Sequence, residues 1–495
     1  MFLGIDVGTG GTRALFIDEA GKVVASGTED HQPFDSLQNG WAEQDPLDWW
    51  RACGVAVKKA LNASKLKPED VACIGFSGQM HGAVMLDESG KVIRPAIIWC
   101  DQRTEKQSKE LEAAFGLSNI IQLTCNPPLT NFTLTKLLWV RDNEPQNWSR
   151  IRYVMLPKDY IRFRLTGDHA IDVADASGTL ILDVANRKWS EKILSETKIP
   201  REWLPALFES PDVCGKLFQE GADATGLRIG TPVVAGAGDQ AAGAVGMGIV
   251  RAGVVSATIG TSGVVFAATD RPALDSHGRL HTFCHAIPGR WHVMGVTQSA
   301  GLSLRWFRDQ FGAGTNDSRN PYERLSGEAA KVPPGSDGLF WAPYLMGERT
   351  PHLDSNVRGA LVGISPSHTR AHVIRAIQEG VAFSLKDTFS IFEEMNVPVT
   401  KIRLGGGGAR SQLWRQIQAD VYAREVELVE AEEGAAYGAA ILAGVGAKHW
   451  RSVDEACDAI VRVASRVTPN AKDSATMQRN YATYRRIYPA LRSLQ

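Results

Sequence analysis

The sequence predicts an α/β protein of two domains related by duplication, and three observations carry that expectation. The chain has 495 residues, well beyond the roughly 250 to 300 at which a single hydrophobic core stops growing. Two segments repeat one pattern, GIDVGTGGTRALFID at Gly4 to Asp18 and SATIGTSGVVFAATD at Ser256 to Asp270, each an apolar run, a GTxG turn and a second apolar run. Glycines gather at residues 8–11, 236–248, 260–263, 405–408 and 434–446, each cluster beside a short apolar run. Such clusters are expected where the backbone turns sharply or approaches a ligand closely, and several together suggest loops built around a phosphate-rich ligand.

The twin segments read as two β-hairpins, one opening each half of the chain. The boundary falls near residues 248 to 253, giving domains 1–248 and 249–495 with a cleft between them and that stretch as the hinge. In the first half, VACIGFSGQMHGAVMLD reads as a strand, a loop at Ser77 to Gly82 and another strand, and Ala96 to Trp99 is a further apolar run ending at Asp101. Residues 104–200 mix helical periods with the breakers Pro127, Pro128 and Pro157, and read as an insertion that shapes one wall of the site. In the second half, apolar runs alternate with helical stretches at His372 to Met395 and Ser411 to Tyr422, as in sheets covered by helices. The span Gly312 to Gly338, with Pro333 and Pro334, reads as a polar loop.

Composition excludes several functions. Apolar residues make up 44% and charged residues 22%, values of an ordinary folded globular protein. With 54 basic against 55 acidic residues and no long run of either sign, there is no electrostatic footprint for nucleic acid. No stretch of about 18 uninterrupted apolar residues occurs, so no spanning helix is expected. The opening MFLGIDVGTG has Asp6 and no basic segment ahead of an apolar run, unlike a secretory signal, and a cytoplasmic protein is expected. The seven cysteines are scattered, odd in number and without CxxC spacing, which argues against a zinc site or a disulfide framework.

The chemistry lies in the turns. Phosphate oxygens need backbone N–H donors that no side chain obstructs, and Gly8-Thr9-Gly10-Gly11 can present several in one direction. Thr9 and Thr12 add hydroxyls, and Asp6, ending the strand that feeds the turn, sits where a carboxylate can hold hydrated Mg²⁺. The second turn, Gly260-Thr261-Ser262-Gly263, completes a clamp on a triphosphate from two sides. Asp239, in PVVAGAGDQAAGAVGMG, heads an Ala/Gly-rich helix; it is a candidate base for the proton of an acceptor hydroxyl, or a helix N-cap. In KIRLGGGGARSQLWRQIQAD the run Gly405 to Gly408 offers side-chain-free backbone for an adenine and ribose, with a helix from about Ser411. The run has neither the GxGxxG of a dinucleotide fold nor the GKS/T ending of a P-loop. For the acceptor, Ser77 to Gly82 and Trp99 to Arg103 supply paired donors and acceptors suited to a polyol.

This set of motifs, in this order and over essentially the whole chain, resembles the FGGY carbohydrate kinases of the actin-like ATPase superfamily. The segments WAEQDPLDWW and LPKDYIRFRLTG, the signature pair Lys136 and Trp139, and GALVGISPSHTRAHVIRAIQEG at Gly359 to Gly380 match as well, with Asn131 and Gln378 departing from the usual residues. The resemblance implies two ribonuclease H-like domains around a cleft and transfer of a phosphoryl group from ATP, with Mg²⁺, to a sugar. It implies ATP contacts at Gly8, Thr9, Gly10, Thr12, Arg13, Gly260, Thr261, Ser262, Gly405, Gly406, Gly407 and Gln412. It assigns catalysis to Asp239 and Asp6, both also placed at the metal. Sugar contacts are implied at Gln79, Met80 and His81, and more weakly at Asp101 and Gln240. GQMHG, where glycerol kinases carry an Arg-Glu pair, points to a ketopentose: D-xylulose first, ribulose or 1-deoxyxylulose as alternatives. Neither nucleic acid nor membrane is expected as a partner, and a homodimer is suggested by the resemblance alone. The rivals are an ATP-gated interaction protein, which needs neither an acceptor base nor a polyol pocket, and a non-catalytic sugar sensor, which would be expected to have lost part of the phosphate machinery. The segment Tyr344 to His352 matches the family but receives no chemical role.

Overall fold

A computed structural model describes residues 1–312, 320–430 and 434–494. The first hairpin is β1 (Phe2–Val7) and β2 (Gly11–Ile17), extended by β3 (Val23–Asp30); β4 (Cys73–Gly78) runs parallel to β1, and β5 (Pro232–Val234) parallel to β4. The second half repeats this with β6 (Gly253–Ile259), β7 (Gly263–Thr269), β8 (His281–Cys284), β9 (Trp291–Thr297), β10 (Val399–Gly405) and β11 (Val426–Val429). The order β3-β2-β1-β4-β5 becomes β9-β7-β6-β10-β11, with the same two antiparallel and two parallel pairings. Duplication thus extends from the hairpins to whole sheets. β8 is added beside β9 at one edge of the second sheet.

The alternation of side chains along a strand decides which residues reach the cleft. Asp6 pairs with Ser77 across β1 and β4, and Ser77 with Ala237 in the short bridge Ala237–Gly238. Asp239 lies two residues beyond Ala237, so Asp6, Ser77 and Asp239 fall on one face at the ends of neighbouring strands.

The helix Pro46–Ser64, capped by the Asp45 carboxylate accepting from the Leu47 N–H, packs along β2 and β3. The helix Gly434–Gly446 comes from the second half yet packs against β1 and β4 of the first sheet. It comes so close that a Cβ on Gly4 would sit 2.0 Å from the Ala436 carbonyl oxygen, and one on Gly75 1.9 Å from that of Ala439. It also crosses the helix Asp239–Gly246, where Gly438 leaves no room against Ala242. The glycine cluster at 434–446, expected beside a ligand, therefore serves packing. Small residues there are what allow a backbone to approach a backbone.

In the second half, the 25-residue helix Arg370–Glu394 runs through the core and is buried along most of its length. The span expected to be a polar loop differs too: Pro321–Ala329 is a helix, started by the Asn320 side chain accepting from the Tyr322 N–H. Part of that span, 313–319, lies outside the described residues. Residues 104–200 form the expected mainly helical insertion. Its core, with Phe132, Leu134 and Leu137, is continuous with Phe266, Phe283 and Met294 of the second sheet, so apolar packing joins the halves on this side. The stretch read as a hinge is held to the second half, Arg251 pairing with Asp454 and Asp458 and Arg290 bonding the Val250 carbonyl.

Candidate active site

The first turn is supported from behind. The Gly8 N–H donates to the Gly11 carbonyl at 3.0 Å, closing the hairpin. The Thr9 carbonyl accepts from Gln44 Nε2 at 2.8 Å, and its hydroxyl accepts from Trp99 Nε1 at 2.9 Å and donates to Gln79 Oε1. Gln79, fully buried, also donates to Gln44 Oε1 and the Gly8 carbonyl. Thr12 is buried with its hydroxyl paired to His31 Nε2 at 2.8 Å. These side chains fix the loop, while Gly10 at its tip is exposed and a Cβ there would meet nothing within 4 Å. Arg13 is the cross-strand partner of Asp6.

The second turn is braced the same way. The Gly260 N–H donates to the Ser262 carbonyl, while the Gly260 and Thr261 carbonyls accept from the N–H groups of Gly301 and Leu302, which open the helix Gly301–Phe311. Beside it is a cavity of about 610 Å³ whose walls include Thr261, Arg305, Tyr322, Gly407, Ser411 and Gln412. The 3₁₀ turn Gly407–Arg410 leads into the helix Gln412–Tyr422, whose N-cap Ser411 accepts from the Trp414 N–H. Of the residues to which the resemblance gives ATP contacts, Gly260, Thr261, Gly407 and Gln412 line this cavity. Gly405 and Gly406 lie deeper, where a Cβ would collide with Thr258 Oγ1 or the Ile259 carbonyl, and Ser262 is not in the lining. Leu304, Arg305, Tyr322 and Ser326 line it without having been singled out in the sequence. The signal for the last two was Asn320-Pro321, a cap residue followed by proline at the first helical position.

At the strand ends beside the first turn stand two acids. Asp6 and Asp239 are both half-buried. Burial raises the Asp6 carboxyl above its ordinary range, opposed by Ser77 and Arg13, and its Oδ1 is buried without a hydrogen-bond partner among the described residues. Burial and then the negative charge of Asp6 push the Asp239 carboxyl up to about 7. A pair of like charges held together in this way is the ordinary source of a carboxylate able to take a proton near neutral pH. The alternative reading of Asp239 as an N-cap does not describe it: Gly238 caps the helix and Asp239 is its first residue. Gln240, half-buried, donates to Asp239 Oδ1 at 3.3 Å.

Met80 packs on Gly238, whose Cβ, if present, would sit 2.8 Å from Met80 Cγ, so the residue before Asp239 must be small. His81 is held in left-handed backbone conformation, φ 67°. Its carbonyl accepts from Lys136 Nζ at 2.8 Å and Thr133 Oγ1 at 3.1 Å, which gives the family's signature lysine a place directly behind the loop. His81 Nδ1 lies 2.7 Å from the Gly178 carbonyl, and burial drives the imidazole down to about 3. A carbonyl only accepts, so Nδ1 carries the proton and Nε2 is left as an acceptor. Asp101 is buried and fully engaged, accepting from Arg103 and from the Ala42 N–H at 2.6 Å, while Arg103 stacks on Trp41 at 3.8 Å.

Behind the loop is a charge cluster that the sequence did not suggest. Lys158 Nζ is within 2.7 Å of Asp159, 2.6 Å of Asp172 and 3.4 Å of Asp175, all wholly buried, with Arg162 on Asp159. It borders the site directly: a Cβ on Gly78 would meet Lys158, and one on Gly238 would meet Asp175.

The descriptions of known proteins agree with this geometry. Residues 1–246 match the N-terminal domain of the FGGY family of carbohydrate kinases and residues 255–447 its C-terminal domain. The chain is 38% identical to the xylulose kinase of Bacillus subtilis over 492 residues, covering 99% of this chain and 97% of the other, and 38% identical to that of Escherichia coli with 99% of each covered. Among solved structures, a "xyloylose kinase" from Brucella ovis aligns over 100% of both chains with 36% identity and a TM-score of 0.91. With two glycine turns built alike, a cavity beside the second and an acid pair beside the first, and with both family domains spanning most of its length, the chain belongs to the FGGY family of carbohydrate kinases.

Proposed function

We propose that this carbohydrate kinase transfers the γ-phosphoryl group of ATP to O5 of D-xylulose, giving D-xylulose 5-phosphate and ADP. The observation that carries the mechanism is Asp239, half-buried beside Asp6 with its carboxyl near 7, at the strand ends between the first turn and Met80-His81. The adenosine occupies the cavity lined by Gly407 and Gln412, and the phosphates lie between the turns at 8–12 and 260–263. As the sugar oxygen attacks phosphorus in line, its proton passes to the Asp239 carboxylate and the bond from phosphorus to the β,γ-bridging oxygen breaks, releasing ADP. Positioning and charge stabilisation supply most of the rate in such transfers.

The residues also fit a hydrated divalent cation, since Asp6 offers an unpartnered oxygen and the acid pair concentrates negative charge. Mg²⁺ bound with the nucleotide would neutralise phosphate charge, and Asp6 is the residue we assign to its shell, with Asp239 beside it. On the sugar side we assign Met80 as apolar floor and His81 Nε2 as acceptor. Gln79 and Asp101, whose polar atoms are engaged by protein groups, are assigned to holding the loops that carry those contacts. The xylulose kinase names of the relatives favour D-xylulose among ketoses. The described cysteines are all unpaired, which suits a reducing cytoplasm, and no helix among the described residues is long and apolar enough to cross a membrane. A homodimer rests on the family resemblance, and light scattering would test it.

A coupled ADP-release assay with D-xylulose, D- and L-ribulose, 1-deoxy-D-xylulose, glycerol and no sugar tests the reading. Strong stimulation by D-xylulose is expected; preference for another acceptor would keep the kinase and discard the substrate. In the same assay Asp239→Ala is expected to abolish transfer while ATP binding persists, and undiminished turnover would remove Asp239 as the base.

A further inference from the structure

The segment Tyr344 to His352 lies on the second half of the molecule, and its middle is clamped. Glu348 is buried, accepting from Thr297 Oγ1 at 2.5 Å, the Gln298 N–H at 2.9 Å and the Arg349 N–H at 2.8 Å. Thr350 is buried as well: its N–H donates to the Val296 carbonyl, its hydroxyl accepts from the Val296 N–H, and the same hydroxyl donates to the Arg279 carbonyl at 2.8 Å. Both residues are therefore pinned to the end of β9 and the start of β8, and the residue between them must direct its side chain elsewhere.

That residue is Arg349, and its guanidinium is half-buried with no hydrogen bond or ion pair to any described residue. Among the described acids, the adjacent Glu348 is the one whose charge acts on it. Its position is marked by two histidines. The neighbouring Thr350 is bonded to the Arg279 carbonyl, two residues before His281, and Phe132 lies between His281 of the same half and His81 of the other, so Arg349 stands beside the junction of the halves; burial holds both histidines neutral and the Arg349 charge acts in the same direction. A ring cluster spans this junction, with Phe132 at 5.1 Å from His81, 5.7 Å from His281 and 6.2 Å from Phe283. A half-buried guanidinium that no protein acceptor engages keeps its fork of donors for a ligand.

We propose that Arg349 is a sugar-binding residue contributed by the C-terminal half, donating hydrogen bonds to an acceptor oxygen of the ketose whose neighbouring hydroxyl donates to His81 Nε2. The pair forms one donor and one acceptor facing each other across the domain junction, which matches an α-hydroxyketone, whose carbonyl oxygen only accepts. Arg349 thereby makes sugar binding depend on both halves at once. The assignment rests on the sugar-kinase reading above.

The test uses the full-length protein, Arg349→Met and Arg349→Lys, first confirmed to melt within a few degrees of wild type. Sugar affinity is read by calorimetric titration without nucleotide and by sugar KM, with ATP KM as the internal control. Wild type is assayed first with the whole sugar panel, and the best acceptor is carried forward; absence of any acceptor would defeat the kinase reading itself, whereas the variants address only Arg349. Loss of charge-assisted hydrogen bonds predicts that Arg349→Met weakens sugar binding about 10- to 100-fold with ATP KM changed less than twofold, and that Arg349→Lys recovers part of the loss. Sugar affinity within twofold of wild type in Arg349→Met, or equal losses for sugar and ATP, would overturn the proposal.

Discussion

A base in phosphoryl transfer must be unprotonated when the sugar arrives, and the Asp239 carboxyl has an ordinary value of 3.8 raised to about 7, first by burial and then by Asp6. The sign follows from the charge: at pH 6 most of the free enzyme carries a protonated, inactive Asp239, and activity is gained as the pH rises through 7. The kcat/KM for the sugar should therefore rise along a limb centred near pH 7. Replacing Asp6 by Asn removes the neighbouring negative charge, so whatever activity remains should show its limb displaced to lower pH. A limb that stays in place in Asp6→Asn would mean that burial accounts for the whole shift. At this scale the sequence was informative about identity and poor about partnership. Asp6 and Asp239 could be singled out from their places beside a strand end and a glycine turn, and Met80 and His81 from the family motif GQMHG. The engagement of Asp101 by Arg103 and the Lys158 cluster could not, because they join residues from separate elements whose contact only the fold creates.

Among the elements, the glycine clusters divide into two kinds that local sequence does not distinguish. At Gly10 a Cβ would enter open space, whereas at Gly438 it would lie 1.8 Å from the Ala242 carbonyl oxygen in the crossing of two helices. Opposite outcomes follow for the same substitution. Gly438→Ala should cost about 3 kcal/mol through overpacking, seen as a lowered midpoint in chemical denaturation. Gly10→Ala should leave that midpoint unchanged and raise the KM for ATP if the tip faces phosphates. Both hairpins, the helix Arg370–Glu394 and the helix after Ser411 were legible because their periodicity and turn residues are local signals. The helix Pro321–Ala329 was not, its Asn-Pro start being outweighed by a polar composition, and the packing role of 434–446 depends on a sheet more than 350 residues earlier in the chain.

Across the whole molecule, the two ends of the cleft are built differently. Beside Gly407 and Gln412 there is an open cavity of about 610 Å³, whereas at His81 the halves already touch through rings and a continuous apolar core. If the halves close on one another, the end with Met80 and His81, to which we assign the sugar, is expected to act as the pivot and the two glycine turns to travel further. Closure matters because water competes with the sugar for the phosphoryl group, and a kinase limits that reaction by assembling its site only when the acceptor is present. Phe132, fully buried and wedged between His81 of one half and His281 and Phe283 of the other, is the side chain on which such a pivot would turn. Phe132→Ala should lower stability by about 3 to 5 kcal/mol, and, assayed at a temperature where it remains folded, should raise ADP release without sugar relative to sugar phosphorylation several-fold. The ratio separates a pivot from a mere core residue, since loss of folded protein lowers both rates together and leaves the ratio unchanged.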